Sequence, residues 1–267
     1  MPDLKLYTIA YSQETYSDIE PGYLILDNRE NRRPDWREYW PIRNFLLNER
    51  LDESALYGFF SPKFRNKTGL SYQQVEKYIQ TSIGQNDVFL FTTYPDLGAA
   101  CINVFEQKEF VDKGFTQLSQ LFLDSLGYNV DLANLVMDSK ATVFSNFFIA
   151  SKKFWLVWLG VCERIFSMCE DGGRSALCQG FTAETTYKGH VQRKVFLIER
   201  VASLLLSTQQ WKVKSYNAWS KSILTPMLAK VQHEMVVSDA LKIAYNKTHY
   251  EEYLAAYRDI RNEIFKQ

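Results

Sequence analysis

Residues 24–64 read LILDNRENRRPDWREYWPIRNFLLNERLDESALYGFFSPKF. The apolar run at 23–26 stops at Asp27, which predicts a short buried strand with polar residues at its mouth. Arg29, Arg32, Arg33 and Arg37 follow among Asn31, Asp35 and Glu38, interleaved with Trp36, Tyr39 and Trp40. Asp35 is placed to cap a helix from about Trp36, with Pro41 in its first turn and Trp40, Ile42, Phe45, Leu46 and Leu47 supplying the apolar face. A second apolar run, 57–60, ends at the turn-forming Ser61–Pro62. Open α/β sheets bind ligands outside the carboxyl ends of their strands. Guanidinium groups placed there match the geometry of phosphate. The competing reading is a solvated loop whose charges pair among themselves.

Further strands are expected at 4–11, 88–92 (VFLFT, apolar enough to be central), 145–151 and 211–215. Ser71 and Gln74 form a capping box ahead of a helix carrying Val75, Tyr78 and Ile79. Helices are also expected over 97–105, over 115–126 with Leu118, Leu121, Phe122 and Leu126 inward, and from about 152 to 169. Two more follow: one over 195–206, and an amphipathic one over 252–265 with a helical pattern from Lys221 before it. Residues 132–137 fit helix or strand, and 170–180 read as a loop able to close over a substrate. Helical patterns between strand patterns give an α/β fold with a mixed, largely buried sheet. One domain over 1–215 and a helical extension over 216–267 are expected.

The chain has 267 residues, 31 basic and 31 acidic. Zero net charge disfavours a general nucleic-acid binder. Cys101, Cys162, Cys169 and Cys178 have neither the number nor the spacing of a zinc site, and read as free thiols in a reducing compartment. Neither a secretory leader nor an 18-residue apolar run is evident. Neither GxGxxG nor a Walker A sequence is present.

Candidate site residues follow from placement. Asp96, just past the 88–92 strand, is a catalytic base or the N-cap of the next helix. Asn103 and Glu106, three apart, share a helical face towards a ligand. Glu199 sits amid Phe196, Leu197, Ile198 and Val201, and needs a partner if buried. His190 lies upstream of the same segment, and an exposed histidine is its simpler reading.

The segments at 31–46, 57–71 and 145–154, with VFLIERVASLLL at 195–206, resemble bacterial polysaccharide and lipopolysaccharide glycosyltransferases with a GT-A-like nucleotide-diphosphosugar transferase fold. The likeness covers about two thirds of the chain, in the order of its aromatic-rich element, Asn–Phe turn and late Glu–Arg helix. It implies a nucleotide-sugar donor and a glycan acceptor, lipid-linked in some relatives, handled in the cytoplasm beside the inner membrane. It also implies roles: Asp96, Glu199 or Glu106 for the base, Arg32, Arg33, Arg37 and Lys63 for the diphosphate, Tyr11 and Ser12 for the nucleotide. Such folds often hold Mn²⁺ or Mg²⁺ on an Asp-x-Asp element. Here the strand is followed by Thr-Tyr-Pro-Asp, and Asp27–Asn28 is the nearest alternative, so arginines acting without an ion stay open beside a metal. The C-terminal helix offers a face to the core, to a second copy of the chain or to a membrane surface. The alternative function is a non-catalytic carbohydrate-binding or scaffold module. Convergence of a carboxylate with phosphate-compatible donors in one cleft favours catalysis. Dispersal of Asp27, Asp96, Glu106 and Glu199 to separate surfaces favours the module.

Overall fold

The computed structural model describes residues 3–187, 189–220 and 223–266. Among these residues six strands form one mixed sheet: β1 (Leu4–Ala10), β2 (Leu24–Asp27), β3 (Leu56–Phe60), β4 (Val88–Leu90), β5 (Phe148–Ser151) and β6 (Val213–Ser215). Their order is β2-β1-β3-β5-β4-β6. β1 pairs in parallel with β2 and β3, and β4 in parallel with β6, whereas β5 runs antiparallel to both β3 and β4. Five strands therefore point one way, and their carboxyl ends share one edge of the sheet.

Among the described residues twelve α-helices accompany it: α1 (Gln13–Ser17), α2 (Tyr39–Asn48), α3 (Phe64–Thr68), α4 (Tyr72–Gln80), α5 (Pro95–Ala100), α6 (Val104–Glu109), α7 (Phe115–Ser125), α8 (Lys152–Cys169), α9 (Ala176–Thr182), α10 (Arg193–Thr208), α11 (Gln232–Thr248) and α12 (Glu251–Phe265). None of the described helices is long and apolar enough to cross a membrane.

The two-residue period of the strands divides the core between the two faces of the sheet. Tyr57, Phe59, Val88, Leu90, Phe148 and Ala150 pack on one side with Trp155 and Trp158 of α8. Leu56, Phe60, Phe89, Phe147 and Ile149 pack on the other with Val75 and Ile79 of α4. The Ser71–Gln74 capping box forms as expected. The α8 face of Phe154, Trp158, Cys162 and Ile165 is buried, and burial pushes the Cys162 thiol well up. All four cysteines are free and buried.

At Gly58, in the middle of β3, a Cβ would meet Ile149 Cγ1 at 2.7 Å and Leu6 Cδ2 at 3.3 Å. Both neighbours are its cross-strand partners. Gly58→Ala is expected to cost about 1–3 kcal/mol by overpacking, read from denaturant unfolding. An unchanged midpoint would contradict this packing.

Several elements differ from expectation. β2 is not buried; it is the sheet edge, with Leu24 and Ile25 exposed. Asp35 caps no helix. It accepts from Arg33 Nε at 3.0 Å and Lys194 Nζ at 2.6 Å, and α2 begins later, at Tyr39, with no side-chain cap. Residues 97–105 hold two short helices because Asn103 caps the second. Leu121 faces solvent. Residues 132–137 form neither helix nor strand, part of 170–180 is helix α9 with Cys178 and Phe181 buried, and regular α-helix after Lys221 starts only at Gln232. The two C-terminal helices dock through buried polar bonds. Lys242 of α11 donates to the carbonyls of Gly98, Cys101 and Met137, and Tyr257 of α12 donates to Ala100 O at 3.1 Å.

Candidate functional site

A cleft of about 890 Å³ opens at the carboxyl ends of the parallel strands. Tyr11 reaches it directly after β1, Ser61, Pro62 and Lys63 directly after β3, and Tyr94 from the turn after β4. Asn31, from the loop after β2, lines this cleft and also an adjoining cavity walled by Asp27, Arg29 and Arg32. Phe144 and Ser145 come in ahead of β5, and α10 closes the floor with Phe196, Glu199 and Arg200. The volume lies within the range of small-ligand sites, about 300–1,000 Å³.

Backbone strain gathers here. Seven non-glycine residues have positive φ among the described residues, and four of them, Asn31, Arg37, Tyr94 and Ser145, line the cleft. Such conformations cost of order 1–3 kcal/mol each and cluster at functional sites.

The cleft is cationic although the chain is neutral. Among the described residues five cations line it, Arg37, Lys63, Lys67, Lys108 and Arg200, against two carboxylates, Glu38 and Glu199. Lys67 Nζ donates to the Ser145 hydroxyl at 2.8 Å. Arg37 donates to Gly189 O at 2.8 Å and thereby ties Gly189, between the bridged Glu184 and Gln192, to the cleft wall. Arg200 is spent internally, donating to the carbonyls of Val104 and Phe196 and to Gln107 Oε1, each at 2.8 Å. Lys108 Nζ stands 3.5 Å from the centre of the Phe196 ring, and burial lowers its pKa.

Glu199 is the chemically distinctive group. Burial pushes its carboxyl up to about 7; Arg200 pulls it down, Glu38 adds to the rise, and Lys67 and Lys108 oppose it. Its carboxyl accepts no hydrogen bond among the described residues and opens on the cleft. A carboxyl in that state can take a proton near neutral pH. The Tyr11 side chain lines the cleft, while its hydroxyl is buried with no hydrogen-bond partner among the described residues.

The structure brings Tyr11, Arg37, Lys63 and Glu199 together and leaves the other candidates elsewhere. Asp96 is fully buried in the first turn of α5, where Oδ2 accepts the Thr225 amide at 2.6 Å and Oδ1 has no partner. Glu106 accepts the Ile102 amide at 2.7 Å and Arg261 at 2.6 Å. Asn103 spends its oxygen on the amides of Phe105 and Glu106 and its amide on the carbonyls of Leu132 and Leu135. Ser12 caps α1. Asp27 is held by Arg29 and Arg32 by Glu30. Arg33 bridges Asp35 and Glu170. His190 is exposed and paired with Glu184. Trp36 and Tyr39 are core residues.

Glu38, Lys67, Lys108, Gln107 and Tyr187 belong to the cleft without having been singled out. Lys67 had a local signal, lying four residues after Lys63 just beyond a strand. Glu38 adjoins Arg37 in the charged stretch, whereas Gln107, Lys108 and Tyr187 arrive from distant segments and had none. No protein-family model, curated protein or solved structure matches this chain.

Proposed function

We propose that the chain is a glycosyltransferase that moves a sugar from a nucleotide-sugar donor to a surface-polysaccharide or lipopolysaccharide acceptor, on a GT-A-like fold. The observation that carries this is the cleft. Phosphate-compatible cations and one carboxyl poised near neutrality converge at the carboxyl ends of parallel strands. In this reading Arg37, Lys63 and Lys67 hold the diphosphate and stabilise it as it leaves. Glu199 accepts the proton of the attacking acceptor hydroxyl. The Tyr11 side chain, which lines the cleft directly after β1, flanks the nucleoside, and Tyr187, 63% exposed at the rim, offers its face to a sugar.

The metal that such a fold often carries does not fit these donors. Asp27 and Asp96 lie outside the cleft on other partners, and among the described residues only Glu38 and Glu199 line it with carboxylates. A second reading, the non-catalytic sugar-binding module, is favoured by one observation: Asp27, Asp96, Glu106 and Glu199 do lie apart. Convergence of Glu199 with the cations favours catalysis. Thermal shift with UDP-, GDP-, CMP- and dTDP-sugars is expected to give stabilisation by one nucleotide class. At a ligand concentration of 100 times Kd the gain is about 2.7 kcal/mol, roughly 6 °C for a domain of this size. Stabilisation by free sugars but by none of the nucleotide sugars would replace the transferase with the binding module.

A further inference from the structure

We propose that the donor's diphosphate is neutralised by Lys63, Lys67 and Arg37 in place of a divalent cation; this rests on the glycosyl-transfer reading. Lys63 immediately precedes α3 and Lys67 lies within it, one helical turn on, so both project from the same side of the segment that follows β3. Both line the cleft, as does Arg37 from the segment between β2 and α2. None of the three has a carboxylate partner among the described residues. Lys67 is held by a hydroxyl and lies 5.6 Å from the Phe147 ring centre, and Arg37 is held by a backbone carbonyl. The neighbouring arginines are different. Arg29, Arg32, Arg33, Arg43 and Arg193 are each tied to an Asp or Glu. Arg37, Lys63 and Lys67 thus line one cleft wall with no carboxylate claiming their charge, and their N–H donors are available to a phosphate. Three positive charges suffice to balance a diphosphate, and they bring directed N–H donors that a bare ion lacks.

The acids have gone the other way. Asp27 neutralises Arg29, and Asp96 is sealed behind the Thr225 amide. Of the two carboxyls left on the cleft, Glu199 is held near neutrality, which is the opposite of what a metal ligand requires. Among the described residues no three His, Cys, Asp or Glu side chains gather around a point that could hold an ion.

The test is calorimetric binding of UDP, GDP, CDP and dTDP to the full chain, first in EDTA and then with Mn²⁺ or Mg²⁺ in excess. The expected result is that the diphosphate which binds does so in EDTA, with Kd moved by less than about threefold on adding metal. Lys63→Gln and Lys67→Gln should each weaken it about tenfold, with Lys67→Arg retaining most of the affinity and melting temperatures reporting on the fold. Binding only in the presence of metal, or lysine variants that bind as the parent does, would overturn the proposal and leave the transferase reading standing. Binding in neither condition would remove both.

Discussion

Glu199→Gln is expected to lower transfer by about 10²–10⁴-fold while leaving donor affinity within a few-fold of the parent. The amide preserves the size of the side chain but cannot accept a proton. The effect should fall on kcat, because the carboxyl is assigned to the acceptor hydroxyl and not to the diphosphate. The pH dependence carries its own signature. Burial holds the carboxyl up at about 7. It is mostly protonated and idle at pH 6, and mostly ionised and competent at pH 8. Turnover should therefore rise through neutrality and level off, and the residual activity of Glu199→Gln should lack that rise. A variant with full turnover would remove Glu199 from the chemistry and strengthen the binding-module reading.

The largest effect on stability is expected at Lys242. Its ammonium is completely buried and donates to Gly98 O at 2.6 Å, Cys101 O at 2.9 Å and Met137 O at 2.6 Å. Asp239, one turn earlier on α11, shares its surroundings and accepts the Ser139 amide at 2.8 Å. One side chain thus joins α11 to the end of α5, to the break before α6 and to the 136–139 segment. Lys242→Ala leaves three buried carbonyls without their donor and Asp239 without its nearby positive charge. The cost is expected to be about 3–5 kcal/mol, or roughly 10 °C in melting temperature. Denaturant unfolding reads it directly, and a loss below about 1 kcal/mol would mean that water satisfies those carbonyls.

What could be read from the sequence was what short-range chemistry decides. Alternating apolar residues at 4–10, the Ser71–Gln74 box and the helical stripe from Phe154 to Ile165 specify their own conformations and faces. The misreadings occur where a distant partner took over a local signal. Asp35 has the position of an N-cap but is drawn to Lys194, 159 residues away. Asn103 and Glu106 have the spacing of a shared ligand face, and instead close a helix start and anchor α12. Asp96 follows its strand as a site carboxylate would, yet Thr225 bonds it and Trp219, Leu228 and Val231 pack beside α5. The same logic explains the arginine-rich loop. Pairing with Asp27, Glu30, Asp35 and Glu170 consumes Arg29, Arg32 and Arg33, and only Arg37, turned by its positive φ, reaches the cleft. Glu199 was conspicuous because a carboxylate in an apolar run must be paired, protonated or functional. Its place beside Lys67 and Lys108 depends on the tertiary fold.

The central claim is that the nucleotide sugar occupies the cleft at the ends of β1, β3 and β4. Hydrogen-exchange mass spectrometry of the chain with and without the stabilising nucleotide sugar addresses it most directly. Slowed exchange in 11–15, 61–68, 184–187 and 189–192 is the predicted result. Protection confined to the cavity beside β6, walled by Tyr216, Trp219 and Asp239, with the cleft segments unchanged, would contradict it.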